Sequence, residues 1–319
     1  QTASYALFLS AYDAQSLPYA YIGVSICATL ASFVYLRLSD RLPLTSLLIG
    51  VPCLQLLTFI GYRIGLSFAG AGWLAFTLPI YFGVINTLDI ITLWNLLGRL
   101  FNLQQGKRLF GLITSAEHLA TVTIGFLTPM VVLWVGTLNL FLVAAAALAC
   151  SLVALLAIAR RYRSLLSAPP EEEADEAQAG AGGLLRSRYL LLIFGMFTLY
   201  ILGIYFVDNI FYAQVEARYT DEDQLASFIS VFFGAVGALS LAMQLFVSGR
   251  LLSHFGVRTI LLITPVALSV CAVLFVLLGS FAGPSAALLW IAVAANLLRM
   301  VLDATDSAAV NLLYQPLPP

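Results

Sequence analysis

Nine long apolar runs follow one another along the chain, and short polar segments separate them. Each run has about the 17–25 residues that an α-helix needs to cross a bilayer. The strands of a membrane barrel would instead alternate over segments of roughly 10 residues. We therefore predict nine spanning helices, preceded at residues 5–12 by the last part of a helix that begins before Gln1. The nine runs cover residues 17–36, 44–62, 73–97, 110–134, 137–159, 189–213, 225–247, 257–279 and 286–302.

The composition supports a membrane protein. Hydrophobic residues make up 61% of the 319 residues and charged residues only 10%, whereas a soluble globular protein carries about 25% charged residues. Most of the surface is therefore expected to face lipid. No nucleophile–base pair, metal-ligand cluster or phosphate-binding loop is visible, so we predict no enzyme activity, cofactor, metal site or nucleic-acid partner. The cysteines lie in apolar runs without C-x-x-C spacing and are interpreted as small core residues: Cys27, Cys53, Cys150 and Cys271.

Basic residues between the runs predict the orientation. Counted alternately, one set of connections holds twelve Lys and Arg residues and the other holds Arg63 and Arg218 alone. The positive-inside rule places the richer set in the cytoplasm of a cell, or inner, membrane protein. That set comprises Arg37, Arg41, Arg99, Lys107, Arg108, Arg160, Arg161, Arg163, Arg186, Arg188, Arg250 and Arg258.

One connection differs from the others in composition. Residues 161–187 are basic, then acidic, then rich in Ala and Gly, then basic again, a composition that cannot bury a core. We predict a cytoplasmic linker there, between an N-terminal helical bundle at 1–160 and a C-terminal bundle at 188–319. The first helix of the former is partial, and the last helices of the latter are expected beyond Pro319.

The two bundles resemble each other at an offset of 210 positions. Asn86 corresponds to Asn296 and Gln105 to Gln315, and transporters are commonly built from such repeats. The all-α chain is therefore interpreted as a 6+6 pseudo-repeat like that of the major facilitator superfamily, truncated at both ends. The charged connections at Asp40, Arg41, Arg250 and Arg258 resemble that superfamily's loop signature, in which charges lock the inward side closed. Pro43 replaces a glycine of the signature, and plain positive-inside anchoring explains these charges equally well.

Several short pieces carry a resemblance to one branch of that superfamily, the ATP/ADP translocase-like (nucleotide transporter) family. They are Ala6-Leu7-Phe8-Leu9, Leu17-Pro18-Tyr19, Gln105-Gly106-Lys107-Arg108-Leu109-Phe110-Gly111, Leu225-Ala226-Ser227-Phe228 and Asn311-Leu312-Leu313-Tyr314-Gln315-Pro316-Leu317-Pro318. The resemblance implies exchange of nucleotides such as ATP for ADP. It also implies a fused or associated cytoplasmic regulatory domain, because some bacterial members are joined to HEAT-repeat or cyclic-nucleotide-binding modules.

Polar residues in the tenth predicted helix are candidates for substrate binding. Asn296, Arg299 and Asp303 recur at i, i+3 and i+7 and so share one helix face, which Asp306 extends. Ionisable groups at bilayer depth are by default hypotheses about function. Arg299 could take a phosphate or carboxylate of an anionic substrate through two hydrogen bonds. Solvation at the cytoplasmic interface is the alternative for Asp303 and Asp306.

The fourth predicted helix carries the matching candidates. Asn86 and Asp89 lie three residues apart on one face, and Asp89 is the repeat counterpart of Arg299. The superfamily lines its central cavity with the first, fourth, seventh and tenth helices. Asp89 and Arg299 are therefore expected to face each other there, and an anion that displaces Asp89 from Arg299 would provide a gating step.

Two further groups have both a functional and a structural interpretation. Glu117 and His118 could carry a coupling proton. A packing seam of small residues, with Glu117 paired to Lys107 or Arg108, explains this stripe better; its other members are Thr114, Thr121, Gly125 and Thr128. Asp208 and Asn209, near the outer end of the seventh predicted helix, could cap or gate the outer mouth, but a solvated helix end is favoured.

Three functions stay open. The leading one is a secondary transporter that exchanges nucleotides or a related organic anion by alternating access. Arg299 as the one cation deep in a span counts against a highly charged nucleotide. The second is a transport-inactive membrane module that anchors or signals to cytoplasmic regulatory domains. The third is a proton-coupled exporter of hydrophobic compounds, in which Asp89 or Glu117 would be essential and Arg299 dispensable.

Overall fold

A computed structural model describes residues 2–39, 41–68, 72–100, 103–161, 188–219, 221–282 and 286–313. This described part is helical throughout, without a strand, and the ten predicted helical segments are confirmed. The α-helices are α1 Thr2–Ala11, α2 Leu17–Ser39, α3 Leu44–Gly65, α4 Gly72–Leu100, α5 Leu103–Val135, α6 Leu140–Arg161, α7 Arg188–Arg218, α8 Glu222–Ala242, α9 Ser248–Ala282 and α10 Ala286–Leu313. Short 3₁₀ helices lie at Ala14–Ser16 and Thr137–Asn139, and a π-helical turn at Met243–Val247.

The chain is a multi-pass membrane protein. Seven helices within the described residues are long and apolar enough to cross a membrane: α2, α3, α4, α5, α6, α8 and α9. Their large apolar side chains also lie on the outside, where Leu133 and Trp134 are 84% and 87% exposed. An apolar surface of this extent is typical of contact with lipid rather than with water. Cys27 and Cys150 are likewise exposed, so the prediction that they are core residues is wrong.

Several helices are longer than the hydrocarbon core requires. α5 has 33 residues and α9 has 35, which at about 1.5 Å per residue gives roughly 50 Å against a core of about 30 Å. α9 begins at Ser248 and continues from α8 through the π-helical turn. The loop predicted between the seventh and eighth runs is therefore wrong, because Arg250 and Arg258 belong to the first three turns of α9.

The chain divides into two compact units. Unit 1 contains Gln1–Tyr12, Ser16–Phe110 and Val135–Leu199. Its core joins side chains of α1, α3, α4 and α6, and Phe59 stacks there on Phe82. α2 and α4 pack closely because each places a glycine against the other: a Cβ on Gly23 would meet Ile80 within 3 Å, and α4 offers Gly83 in return.

Unit 2 contains Asp13–Gln15, Gly111–Trp134 and Tyr200–Pro319. α10 packs against both α8 and α9, and Phe211 of α7 contacts Phe232 of α8 with ring centroids 4.5 Å apart. α5 crosses α8 where Gly125 meets Gly234, so closely that a Cβ on Gly125 would lie within 3 Å of the facing backbone. The predicted bundles at 1–160 and 188–319 stay a prediction, and residues 162–187 of the predicted linker lie outside the described residues.

Several threonine hydroxyls within these helices hydrogen-bond the backbone of their own helix. Thr29, Thr92 and Thr128 each donate to the carbonyl four residues earlier, at 2.7 Å. Such bonds allow a polar side chain to lie in an apolar environment without a partner on another helix. The local hydrogen bonds of these three threonines are sufficient to explain how their hydroxyls are accommodated. The charged groups need partners on other helices and are therefore the stronger candidates for function.

Candidate functional site

Arg299 lies near the midpoint of α10, on the polar face that the sequence predicts. It is 6% exposed and is the only charged residue that is buried within the described part of the chain. Its neighbour one turn earlier, Asn296, is 1% exposed. The i, i+3 spacing of these residues in a helix places both side chains on the same side. Burial of an arginine is costly unless other groups pair with it and hydrogen-bond it, so its partners define the site.

The carboxylate of Asp208, on α7, is the counter-ion of Arg299. Arg299 Nη2 donates to Asp208 Oδ1 at 2.9 Å, and the two side chains are 7% and 18% exposed. Asn296 Oδ1 accepts from Arg299 Nη2 at 2.9 Å and from Arg299 Nε at 3.3 Å. Asn296 also hydrogen-bonds the Asp208 carboxylate. The three residues form one closed polar cluster, which we call the Arg299 cluster.

A second polar contact joins the same two helices one turn of α10 further on. Tyr200 donates its hydroxyl to Asp303 Oδ1 at 2.7 Å. Asp303 follows Arg299 by four residues, and Tyr200 precedes Asp208 by eight, so both contacts lie on the facing sides of α7 and α10. Asp303 is exposed, in contrast to the buried Asn296 and Arg299. The three residues predicted on one face of α10 are therefore found together, and α7 supplies the partners of two of them.

The Arg299 cluster can bind an anion by exchange of partners. A guanidinium presents five N–H donors in a planar fork that suits the oxygens of a carboxylate or phosphate. An incoming anion would take the hydrogen bonds that Asp208 and Asn296 now accept. Because the cluster is shielded from water, charged hydrogen bonds there are stronger than in solution.

A small apolar crevice lies beside the cluster in unit 2. Val207 of α7 and Ala295 of α10 line it, and each is the immediate chain neighbour of a cluster residue. α9 closes the opposite wall, where Cys271 and Phe275 contribute. The side chains that line the crevice are apolar or weakly polar, so the polar functions of this region are concentrated in the cluster.

In unit 1 the predicted residues of α4 have partners of their own. Asp89 Oδ1 accepts from Gln55 Nε2 of α3 at 2.6 Å. Gln55 is 5% exposed, whereas Asp89 and Asn86 are exposed. Asp89 and Arg299 thus each have a hydrogen-bonding partner within their own unit, Gln55 for the former and Asp208 for the latter. The expected meeting of Asp89 with Arg299 stays a prediction.

The interpretation of Asp208 as a solvated helix end is wrong, because α7 continues ten residues beyond it to Arg218. The next residue, Asn209, binds the backbone of the connection between α1 and α2: its Nδ2 donates to the carbonyl of Ala14 at 3.1 Å. The amide of Ala14 donates to Glu216 Oε2 at 2.7 Å. Asn209 and Glu216, seven residues apart on α7, therefore hydrogen-bond the backbone carbonyl and the backbone amide of Ala14.

The residues predicted for coupling or gating are scattered. Glu117 is exposed and His118 half-buried on α5, and Arg41 is exposed after α2. Asp40 and the side chains of Arg250 and Arg258 lie outside the described part, so their predicted roles stay predictions.

The packing seam predicted on α5 is confirmed at two positions. Gly125 lies against Gly234, and Thr121 lies against Gly237 of α8. The side chains of Lys107 and Arg108, the suggested partners of Glu117, are outside the described part.

Asp208 is the site residue whose surroundings the sequence analysis predicts wrongly, since it pairs with Arg299. Arg299 was identified because no other cation lies deep in an apolar run. The same criterion applied to acidic residues would have selected Asp208, which falls within the run 189–213. Its proximity to the end of that run instead favoured a solvated position, since the polar residues after 213 concealed the further length of the helix.

Comparison with known proteins matches the part of the chain that carries this cluster. Residues 170–306 match the model of the TLC ATP/ADP transporter family, which is a transporter family and not an enzyme family. The match covers somewhat less than half of the chain and includes all three residues of the Arg299 cluster. A curated protein of Chlamydia muridarum (strain MoPn / Nigg), ADP,ATP carrier protein 1, is 30% identical over 98 residues. That alignment spans 31% of this chain and 18% of the chlamydial protein. No solved structure matches the chain.

Proposed function

We propose that this chain belongs throughout to the TLC ATP/ADP transporter family and forms part of a secondary transporter. It exchanges nucleotides, or a related organic anion, by alternating access across the cell membrane. The observation that carries the proposal is the Arg299 cluster, a buried ion pair within the region that matches the family. A charge inside a membrane bundle is rare and typically marks a substrate or ion pathway.

Arg299 is the proposed anion receptor, and Asn296 orients its guanidinium. Asp208 occupies the receptor when no substrate is present and leaves it when a phosphate oxygen approaches. The pair keeps the guanidinium stable in the absence of substrate, because an unpaired buried charge is costly. Asp303 with Tyr200 lies next along the same two helices and would contact the more distant part of the substrate. Asn86 and Asp89 are the corresponding candidates in the first half.

The linker, a regulatory domain and the gating residues are further parts of the proposed transporter. The linker at 161–187 is cytoplasmic, and a fused or associated cytoplasmic regulatory domain is a proposed partner. Glu117, His118, Asp40, Arg41, Arg250 and Arg258 are proposed coupling or gating residues. The fold proposed for the complete protein is a 6+6 pseudo-repeat of the major facilitator type, to which the ten helices described here contribute.

Exchange in liposomes tests this proposal directly. The full-length protein is reconstituted, and uptake of labelled ATP and ADP is measured with and without internal nucleotide. We expect uptake that depends on internal nucleotide and that is lost in the Arg299→Ala variant. Arg299→Lys keeps the charge but not the planar fork, so we expect an apparent affinity about 10–100-fold weaker, corresponding to loss of about 1.5–3 kcal/mol. Arg218→Ala removes an exposed arginine of the same unit and should transport like the wild type.

Absence of nucleotide flux from protein shown to be folded and inserted would contradict the proposal. That result would favour a transport-inactive module that anchors or signals to cytoplasmic domains. Flux that persists in Arg299→Ala would leave a transporter but exclude Arg299 as its anion receptor.

A further inference from the structure

We propose that Asp208 takes up a proton when an anion binds Arg299, so that the site binds one anion and one proton together. This inference rests on the proposed function, in which Arg299 is the anion receptor, and adds the identity of a coupling ion. The geometry that carries it is the single shared donor: Arg299 Nη2 hydrogen-bonds both Asp208 and Asn296.

Apart from Arg299, the Asp208 carboxylate is stabilised by the neutral side chain of Asn296. The Asp208 side chain is 18% exposed, and Arg299 opposite is 7% exposed. Arg299 stays protonated at any pH a protein tolerates. When an anion takes over its donors, two negative charges share one positive charge in a shielded site. A buried carboxylate without a partner becomes neutral rather than remain charged, and the Asp208 carboxylate is the group at the cluster that can accept the proton.

The surrounding helices offer Asp208 no second cation among the described side chains. α10 presents Asn296 and, two turns further, Asp303, which is hydrogen-bonded to Tyr200. α9 presents Cys271 in the crevice beside Val207. α8 packs against α7 through Phe232, and its charged residues Asp221, Glu222 and Asp223 lie together at its beginning. Further along α7 stand Glu216, with Asp13 near it, and Arg218 at the helix end.

The exchange balances in atoms and charge. In the resting cluster, one guanidinium and one carboxylate sum to zero. An anion oxygen then accepts the N–H groups of Arg299, and the hydrogen bond from Nη2 to Asp208 Oδ1 breaks. A proton released by the buffer acid forms an O–H bond on Asp208 and leaves the conjugate base in solution. The resulting carboxylic acid donates to the side-chain oxygen of Asn296, which Arg299 has released. The cluster with one singly charged anionic group is again neutral.

Calorimetry of ADP binding to the purified full-length protein tests this step. Titrations in buffers of different ionisation enthalpy give the number of protons that the complex takes up. We expect about one more proton for the wild type than for Asp208→Asn. ADP's own titration is common to both proteins and cancels in the difference. Asp223→Asn removes a carboxylate at the start of α8 and should retain the wild-type value.

A second measurement covers the case in which Asp208→Asn does not fold. Linkage of binding to one proton weakens the wild-type affinity for ADP about tenfold per pH unit between pH 7.5 and 8.5, above the phosphate's own titration near pH 6. If the wild type binds ADP with a pH-independent affinity and without proton uptake, Asp208 keeps its charge and the inference is overturned, while the proposed function stands. If folded wild type binds no ADP, both fail. Equal proton uptake by the wild type and a folded Asp208→Asn variant would assign the proton to another group and overturn the inference alone.

Discussion

A guanidinium buried between mainly apolar helices is stable only when other groups replace the water it has lost. At Arg299 that replacement comes from two different helices. Asn296, one turn away on α10, fixes the direction of the side chain through Nε and Nη2, and Asp208 of α7 supplies the opposite charge. Removal of either charged partner leaves the other shielded from water, with the neutral side chain of Asn296 but without an opposite charge. Breaking such a pair in a protein interior costs about 3–5 kcal/mol.

This dependence predicts strong coupling between the two charged residues. Asp208→Ala and Arg299→Ala should each lower the stability of the purified protein by about 3 kcal/mol or more, because each leaves an unpaired charge. The double variant should lose less than the sum of the two, since no charge remains to be desolvated. Unfolding in detergent micelles at increasing denaturant or temperature measures the three losses. Strictly additive losses would show that the pair is not energetically connected.

At this scale the sequence alone identified Arg299 and Asn296 but not the partner of Arg299. Residue type and position in an apolar run mark a costly group, and the helical period places Asn296, Arg299 and Asp303 on one face. Neither property indicates which of the nine other helices packs against that face of α10. The repeat offset suggests Asp89, and that meeting stays a prediction; the ion pair that the structure describes is made by Asp208, about ninety residues earlier in the chain. The choice between partners depends on how the helices pack, which no local pattern encodes.

Helices in lipid gain nothing from hiding apolar surface from water, so they associate where their backbones approach closely. The α5–α8 crossing illustrates this condition. Gly125 and Gly234 lie against each other, and Gly237 lies one turn further on against Thr121. A side chain at the crossing point would hold the two helices apart.

Substitution at the crossing should therefore depend strongly on position. A Cβ on Gly125 would lie within 3 Å of the backbone of Gly234 and of the carbonyl oxygen of Ser230, whereas a Cβ on Gly234 would have its nearest contacts at 3.2–3.3 Å. We expect Gly125→Ala to lower thermal stability markedly and Gly234→Ala to lower it less. Gly203→Ala on α7 meets no atom within 4 Å and is the control, neutral or stabilising by up to about 1 kcal/mol through its higher helix propensity. Equal effects of the three substitutions would contradict the close crossing.

The beginning of α8 offers a separate test on a solvent-facing element. The Asp221 carboxylate accepts from the amide of Gln224 at 3.1 Å and so caps the helix. Asp221→Ala should cost about 1 kcal/mol, while Asp221→Asn keeps an acceptor and should cost only a few tenths. Hydrogen exchange of the amides at 223–225 measures the effect locally. Faster exchange in both variants alike would mean that the charge rather than the capping oxygen stabilises this end.

The existence of the ten helical segments followed from the sequence, but their ends did not. An apolar run indicates only the part of a helix that lies in lipid. A helix can continue beyond the membrane surface with polar residues, so the end of the run does not predict the end of the helix. α7 therefore extends to Arg218 and α9 begins at Ser248, each beyond the run that predicted it. The extension of α7 explains why Asp208 is enclosed, and the early start of α9 replaces a predicted loop with helix.

For the whole molecule, composition alone was sufficient to predict a membrane protein, because a chain with 10% charged residues cannot cover itself for water. The distribution of the Lys and Arg residues also predicts an orientation, in which the residues between α6 and α7 face the cytoplasm. The grouping of residues 111–134 with the second half of the chain was not predicted. The sequence suggests a boundary at its most polar segment. The compact units of the structure depend instead on which helices pack together.

Engineered protease sites test the predicted orientation. A site inserted between residues 175 and 176 should be cut in inside-out vesicles and resist protease added to intact spheroplasts. A matched site at Thr220, between α7 and α8, should show the opposite pattern. Western blotting of a terminal tag reports cleavage in both preparations. Cleavage of the 175–176 site from outside intact cells would reverse the orientation and move the predicted cytoplasmic partner to the other side.

The contact between α7 and Ala14 has a consequence for the evolution of this chain. Asn209 and Glu216 bind the carbonyl and amide of Ala14, groups that every residue except proline possesses in full. Correlated substitutions reveal contacts between side chains, but here one partner is main chain, so a set of aligned relatives would contain no matched changes at position 14. We expect two features at position 14 in such an alignment. Proline should be absent, and small residues should be preferred because Ala14 is 3% exposed. Contact maps inferred from covariation would therefore overlook this attachment.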